Sequence, residues 1–147
     1  MKSRLQRALV SGSVAAAAVT LVASLAGRRA TGSYAAPLNA TSHVLWGGRA
    51  GRQNAYSLKY TATGFIANYG AAVFWALFYE ALARRMPPPL TRGAAVAALA
   101  YVVDYHVVPK RLTPGFEMRL QRPALAAVYA ALALGLSARD LLATRAE

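Results

Sequence analysis

Cysteine is absent from this 147-residue chain, and acidic residues are few. Without cysteine the chain has no disulfide framework, no cysteine-based zinc site and no thiol nucleophile. Five Asp and Glu stand against seventeen Lys and Arg, which gives a formal charge of +12. Charged residues are nevertheless only 15% of the chain, fewer than a soluble nucleic-acid-binding domain of this charge would carry. We therefore expect no nucleic-acid partner.

Hydrophobic residues make up 56% of the chain, which excludes a disordered basic tail. They fall into four blocks separated by clusters of Arg. About 20 helical residues cross the ~30 Å hydrocarbon layer of a bilayer, and the blocks have this length or fall slightly short of it. The sequence predicts an all-α, four-span bundle forming one domain over residues 1–147, with spans at about 8–27, 61–83, 93–109 and 123–139.

Two alternatives compete with this interpretation. A soluble bundle would carry a polar stripe along each helix, and no block has one. The first block could be a cleaved signal peptide, because Lys2, Arg4 and Arg7 precede it. The block is longer than a typical signal-peptide core, and Arg28 and Arg29 follow it directly. These features favour a retained helix.

Small residues recur at helical spacing within the blocks, a pattern that lets membrane helices approach closely. In the first block Ser11, Ala15 and Val19 share a face, with Gly12, Ala16 and Ala23 nearby. Four-residue spacings also relate Gly64 to Asn68, Ala67 to Ala71, and Ala127 to Ala131 and Gly135. We expect tight packing within the bundle, and association with a second copy or another membrane protein stays open.

The distribution of cations does not decide the orientation. The side with the termini would carry eight, and the opposite side nine. The three cations before the first span and the two just after it favour a cytoplasmic N-terminus. Fourteen of the seventeen cations are Arg, and the chain is rich in Ala, which suggests a GC-rich genome and a bacterial inner membrane.

Two of the three connections look more ordered than plain connectors. Pro37 near the start and Gly47-Gly48 at the end of the first connection predict a short helix, interfacial or re-entrant. Residues 109–117 contain Thr113-Pro114-Gly115, a turn signal. Both connections fall on the same membrane face in either orientation. The other connection, with Pro87-Pro88-Pro89, is a short stiff link.

These two connections carry a resemblance. The residues from Pro37 to His43 with Trp46-Gly47, and Asp104-Tyr105 with the stretch from Pro109 to Glu117, resemble an uncharacterised family of small bacterial four-helix integral membrane proteins. The resemblance implies the four-helix architecture and no activity.

Glu80 and Asp104 are acidic residues inside the apolar blocks, where a charge is costly, so both are candidates for a specific role. Glu80 precedes Arg84 by four residues, which predicts a structural ion pair at the membrane interface. Asp104 shares a predicted helix face with Tyr101, Tyr105 and Val108. It could anchor Lys59, Arg111 or Arg119, which we favour, or serve a cation or proton pathway with Tyr101 and His106.

Motifs for metal or covalent chemistry are missing. Asp104 and His106 point to nearly opposite sides of a helix, and no His-x-x-x-His or Glu-x-x-His spacing exists. A haem between His43 and His106 has no further support, and no nucleophile elbow or phosphate loop is found. We expect neither a metal nor a cofactor.

The sequence therefore predicts a non-enzymatic membrane protein whose two ordered loops form a basic, aromatic surface for anionic lipid headgroups or a protein partner. A small transporter is the first alternative. A lipid-acting enzyme with His43, Asp104 and Glu117 as acid and base groups is the second. The candidate functional face comprises Asn39, His43, Trp46, Tyr101, Asp104, His106, Lys110, Arg111 and Glu117.

Overall fold

The computed structural model describes residues 3–145, which are helical over most of their length and contain no β-strand. Six α-helices follow one another along this part of the chain: α1 (Arg4–Thr31), α2 (Ala36–Thr41), α3 (His43–Trp46), α4 (Thr63–Ala81), α5 (Pro89–Val102) and α6 (Arg122–Thr144). Short π-helical segments, Leu58–Ala62 and Val103–Val107, precede α4 and follow α5. The all-α fold class is confirmed.

Three helical stretches within residues 3–145 are long and apolar enough to cross a membrane: Arg4–Thr31, Leu58–Ala81 and Arg122–Thr144. The prediction of four such helices is therefore met in part. α5 has 14 residues and, with its π-helical continuation, reaches Val107 rather than the predicted residue 109. It packs along α6 as the fourth long helix of the bundle.

α1 extends beyond the apolar block that predicted it, because both of its ends are capped. The Ser3 hydroxyl accepts from the Gln6 amide at 3.1 Å, and the Gln6 side chain accepts from the Ser3 amide at 2.8 Å. This capping box satisfies amide groups that the first helical turn leaves without partners. Gly32 ends the helix in the left-handed conformation at φ 78°, which glycine adopts without strain.

α1 is the central helix of the bundle. It packs along both α4 and α6, which barely touch each other. Small residues permit the close approach: a Cβ on Gly12 would lie 2.7 Å from Val73 Cα, and one on Gly135 would lie 2.5 Å from Ala15 Cα. The predicted small face of α1 is confirmed, since Ser11, Gly12, Ala15, Ala16, Val19 and Ala23 are all buried.

The small residues of α4 and α6 contribute less uniformly than predicted. Gly64 and Asn68 are buried, as are Ala131 and Gly135. Ala67, Ala71 and Ala127 are exposed on the outer surface of the bundle, so the packing role predicted for them is wrong. Spacing alone identifies residues that share a helix face, but only the position of the neighbouring helices decides whether that face is covered.

Short helices occupy the connection between α1 and α4, as the Pro and Gly signals predicted. Every residue of α2 is buried, and α2 packs against α1 and α4. α3 is different, because Leu45 and Trp46 are exposed. The connection thus has a buried part and an exposed part.

Gly64 marks the closest backbone contact between α2 and α4. A Cβ there would lie 1.7 Å from the Leu38 carbonyl oxygen. We expect Gly64→Ala to lower the free energy of unfolding in detergent by about 1–3 kcal/mol, because backbone must move to admit the methyl group. Thermal unfolding followed by circular dichroism measures this.

Gly70→Ala in the same helix is the matched control. No atom lies within 4 Å of the position its Cβ would take, so stability should be unchanged or slightly raised. Equal melting temperatures for the two variants would contradict the close packing of α2 on α4.

Candidate functional site

Charged side chains are concentrated at the end of the bundle where α1 and α5 begin and α4 and α6 end. We call this set the charged network. All four long helices contribute to it, and it joins three arginines to two carboxylates and a tyrosine: Arg7, Tyr79, Glu80, Arg92, Arg139 and Asp140.

Glu80 is one centre of the charged network, with a side chain that is only 1% exposed. Its Oε2 accepts from Arg7 Nε at 2.9 Å, and its Oε1 accepts from Arg139 Nη2 at 2.8 Å. Arg84 is exposed and forms no salt bridge within residues 3–145, so the prediction of a Glu80–Arg84 pair is wrong. The α4 helix ends at Ala81, and the chain turns before Arg84 can occupy the next helical turn above Glu80.

Arg92 is the other centre and is 3% exposed. Its guanidinium lies over the Tyr79 ring, 4.1 Å from the ring centroid, and Nη2 donates to the Tyr79 hydroxyl at 2.9 Å. The same Nη2 forms a salt bridge with Asp140 Oδ2, which also accepts from the Tyr79 hydroxyl at 3.0 Å. Arg92 Nη1 donates to the Met86 carbonyl at 3.0 Å and so holds the α4–α5 connection against the bundle.

The charged network cross-links the ends of four helices, and we call this end of the bundle the braced end. The buried Glu80 and the half-buried Asp140 both have arginine partners, and Arg139 links the two by contacting Glu80 and Asp140. Buried charges are tolerated only when they are paired and hydrogen-bonded in this way. The network therefore fixes the relative positions of four helix ends.

The opposite end of the bundle is closed by the two ordered connections, which pack on each other. We call residues 32–62 and 108–121 together the loop cap. His43 Nε2 lies 2.8 Å from the Thr113 carbonyl oxygen and is buried with it. Gly115, at φ 86°, passes so close to α2 that a Cβ would lie 2.5 Å from the Ala40 carbonyl oxygen.

Asn39 is completely buried and cross-links segments of the loop cap through its side chain. Its Nδ2 donates to the carbonyls of Gln53 and Ala55 at 3.0 and 2.9 Å, and its Oδ1 accepts from Thr61 Oγ1 at 2.6 Å. With its side-chain groups used in this way, Asn39 stabilises the fold of the connection. It does not present a group to a ligand.

Arg119 and Glu117 complete the internal contacts of the loop cap. Arg119 donates to the Gly51 carbonyl at 2.7 Å and to Asn54 Oδ1 at 2.6 Å, thereby tying the two connections together. Glu117 Oε1 accepts from the Thr113 hydroxyl. His43 and Glu117 thus have partners inside the cap.

The outer surface of the loop cap is aromatic and basic. Trp46 is 43% exposed, and its Nε1 donates to the Lys59 carbonyl at 2.8 Å. The Lys59 ammonium lies 5.0 Å from the Trp46 ring centroid and 5.3 Å from that of Tyr60. Lys110 and Arg111 are exposed on the second connection. The structure therefore brings Trp46, Lys110 and Arg111 to one end of the molecule.

Asp104 has a tyrosine partner in place of the predicted cation. Its Oδ2 accepts from the Tyr129 hydroxyl of α6 at 2.6 Å, and no salt bridge reaches it within residues 3–145. The prediction that it anchors Lys59, Arg111 or Arg119 is wrong. Lys59 lies on Trp46, and Arg119 is bound inside the loop cap.

Tyr101 and His106 lie on the outer surface, and the Tyr101 ring packs edge-on against Tyr129, 5.3 Å between centroids. Tyr101 and His106 are both exposed, and their rings are 5.9 Å apart. The segment Val103–Val107 is π-helical, so the spacing rules of an α-helix do not apply across it. Of the residues assigned to a pathway, Asp104 alone turns inward.

Sequence reasoning missed Arg92, Asp140 and Tyr129. Arg92 falls just before the predicted span 93–109, whereas α5 begins at Pro89 and includes Arg92. Asp140 lies beyond the apolar block that was predicted to end near residue 139. An acidic residue adjoining Arg139 at a helix end was the available signal for a charged partner.

The described residues form a small helical bundle in which three helices are long and apolar enough to cross a membrane, with the charged network at one end and the loop cap at the other. No family model, curated protein or solved structure matches the chain.

The charged network predicts which substitutions unfold the bundle. Glu80→Gln should lower the free energy of unfolding by about 2 kcal/mol or more, because it removes the buried negative charge that Arg7 and Arg139 both contact. Thermal unfolding in detergent is the measurement.

Arg84→Gln is the control, since Arg84 is exposed four residues from Glu80 and should tolerate the change with little effect. If Arg84→Gln destabilised the protein as much as Glu80→Gln, the result would support a Glu80–Arg84 ion pair and contradict the pairing of Glu80 with Arg7 and Arg139.

Proposed function

We propose that the chain is a non-enzymatic, four-span protein of the bacterial inner membrane whose loop cap binds anionic lipid headgroups. Three spans have the length and hydropathy for this role. For the fourth, α5 and its continuation to Val107 form nineteen residues, or about 28 Å of helix, packed beside α6. Flanking arginines such as Arg122 can extend their charged ends to the lipid headgroups where the bilayer is locally thinned around this shorter helix.

The observation that carries the proposal is the Trp46–Lys59–Tyr60 stack on the loop cap, in which Trp46 and Lys59 are exposed and Tyr60 is half-buried. Tryptophan and tyrosine prefer the headgroup level, where an apolar ring and a polar edge both find partners. Leu45 and Leu58, at 66% and 88% exposed, stand beside this stack with no cover from the described residues. The surface thus has the composition of the membrane interface, and α3 provides its helical part.

Exposed cations surround this aromatic surface. Arg49, Arg52, Lys110 and Arg111 are all exposed on the loop cap. A cation held near an anionic leaflet contributes about 1 kcal/mol to lipid attraction. Because Asn39, His43 and Arg119 hold the cap together, the cations are presented in a fixed arrangement.

The remaining parts of the proposal concern placement and partners. The three cations before the first span, against the two just after it, favour a cytoplasmic N-terminus, which would put the loop cap on the opposite face. A second copy or another membrane protein is the alternative occupant of the cap. The membership in a family of small bacterial four-helix membrane proteins belongs to the same proposal.

The fluorescence of Trp46 reports which lipids associate with the loop cap. Trp75→Phe leaves Trp46 as the sole tryptophan. In nanodiscs, brominated phosphatidylglycerol should associate with the cap about fivefold more strongly than brominated phosphatidylcholine, as expected for ~1 kcal/mol of charge attraction. Fluorescence quenching at matched mole fractions measures this ratio.

Charge-neutral variants locate the effect. The double substitution Lys110→Gln, Arg111→Gln should reduce the preference, whereas Arg84→Gln, Arg85→Gln removes two exposed cations from the opposite end and should leave it intact. Equal quenching of Trp46 by the two lipids in the Trp75→Phe protein would refute headgroup selection by the loop cap.

A further inference from the structure

A cavity of about 150 Å³ lies between α4 and α6 beneath the loop cap. It exists because α1 separates these two helices, which barely touch each other. Its walls are mainly apolar, with aromatic side chains from Trp75, Phe116 and Tyr129. A mainly apolar pocket with a few convergent polar groups is the usual form of a small-molecule site.

Asp104 is the charged group that lines this cavity. It is hydrogen-bonded to Tyr129 and has no ion pair within residues 3–145, although the chain carries seventeen cations. Glu117 is close enough to add negative potential at Asp104. The two carboxylates of the charged network, by contrast, both have arginine partners. The cavity is therefore lined by a carboxyl group that no cation of residues 3–145 pairs with.

Asn68 adds a second acceptor at the same cavity and is 7% exposed. Its Nδ2 donates to Thr20 Oγ1 at 3.2 Å and to the Ala16 carbonyl at 3.5 Å. No hydrogen bond within residues 3–145 reaches its Oδ1. The side-chain amide thus turns its donor toward α1 and keeps an acceptor without a protein partner.

These groups select among ligand classes. An anion is repelled by Asp104, and a neutral apolar molecule leaves the carboxylate and the Asn68 acceptor unsatisfied. A hard divalent ion requires six or more oxygen ligands, which mainly apolar walls do not provide. An ammonium group has three donors and a positive charge, and it is attracted to aromatic faces as well as to a carboxylate.

We propose that this cavity binds a compact amphipathic primary amine, with its ammonium group on Asp104 and Asn68 and its apolar body against Trp75, Phe116 and Tyr129. The volume suits one benzene-sized ring, since apolar cavities of about 150 Å³ admit benzene. Ala67, Ala71 and Leu112 line the cavity and are also exposed on the outside of the bundle, which places its entrance on the apolar flank. This site is separate from the headgroup surface and does not depend on it.

Benzylamine is the probe, and Trp75 is the reporter. Trp46→Phe leaves Trp75 as the only tryptophan, at the cavity wall. In nanodiscs containing the full chain, benzylamine should change Trp75 fluorescence saturably. Benzyl alcohol, which has nearly the same shape without the charge, should bind at least tenfold more weakly. Equal binding of the two, or a change that never saturates, overturns the proposal.

Two substitutions test the location. Asp104→Asn keeps the side-chain shape and should abolish the preference for benzylamine over benzyl alcohol. Ala71→Leu fills the exposed mouth, so it should weaken both ligands at least tenfold even if Asp104→Asn proves unstable. Ala98→Leu, exposed on α5 outside this cavity, should leave both affinities unchanged. Benzylamine binding that survives Ala71→Leu overturns the assignment to this cavity.

Discussion

The close approach of α1 to its two neighbours is the constraint on which the bundle depends. A helix with buried Ser11, Gly12, Ala15 and Ala16 can lie almost backbone to backbone against α4 on one side and α6 on the other. In a membrane such contacts supply the stability that hydrophobic burial supplies in water. Because α1 separates them, α4 and α6 diverge, and the cavity lined by Asp104 occupies the space between them.

The two ends of the bundle are stabilised by different means. At one end the charged network joins all four long helices through paired arginines and carboxylates. At the other end the loop cap is held mainly by hydrogen bonds to backbone carbonyls, of which those made by His43 and Arg119 join segments 70 and 68 positions apart. The charged end pairs Glu80 and Asp140 with arginines of the bundle, whereas the capped end carries exposed cations beside an exposed tryptophan, Trp46. This asymmetry is the reason for assigning binding to the cap.

Sequence reasoning succeeded where local rules decide the outcome. The all-α class follows from hydropathy, and the buried small face of α1 follows from residue spacing. The positions of Pro and Gly predict that the two connections are structured. It failed where partners come from distant segments: Glu80 binds Arg7, 73 positions away, and Asp104 binds Tyr129, 25 positions away. Helix spacing proposes partners on the same helix alone, so it offered Arg84 for Glu80. It also cannot show that Asp104 and His106 lie in a π-helical turn, where α-helical spacing no longer predicts which side chains share a face.

The central claim is that the capped and braced ends face opposite sides of a membrane. The chain has no native cysteine, so Gly48→Cys on the loop cap and Pro88→Cys on the α4–α5 connection each introduce a single exposed thiol. The measurement is labelling with a membrane-impermeant maleimide in spheroplasts. The account predicts that Gly48→Cys reacts in intact spheroplasts and Pro88→Cys only after permeabilisation. Labelling of both positions from the same side would contradict it.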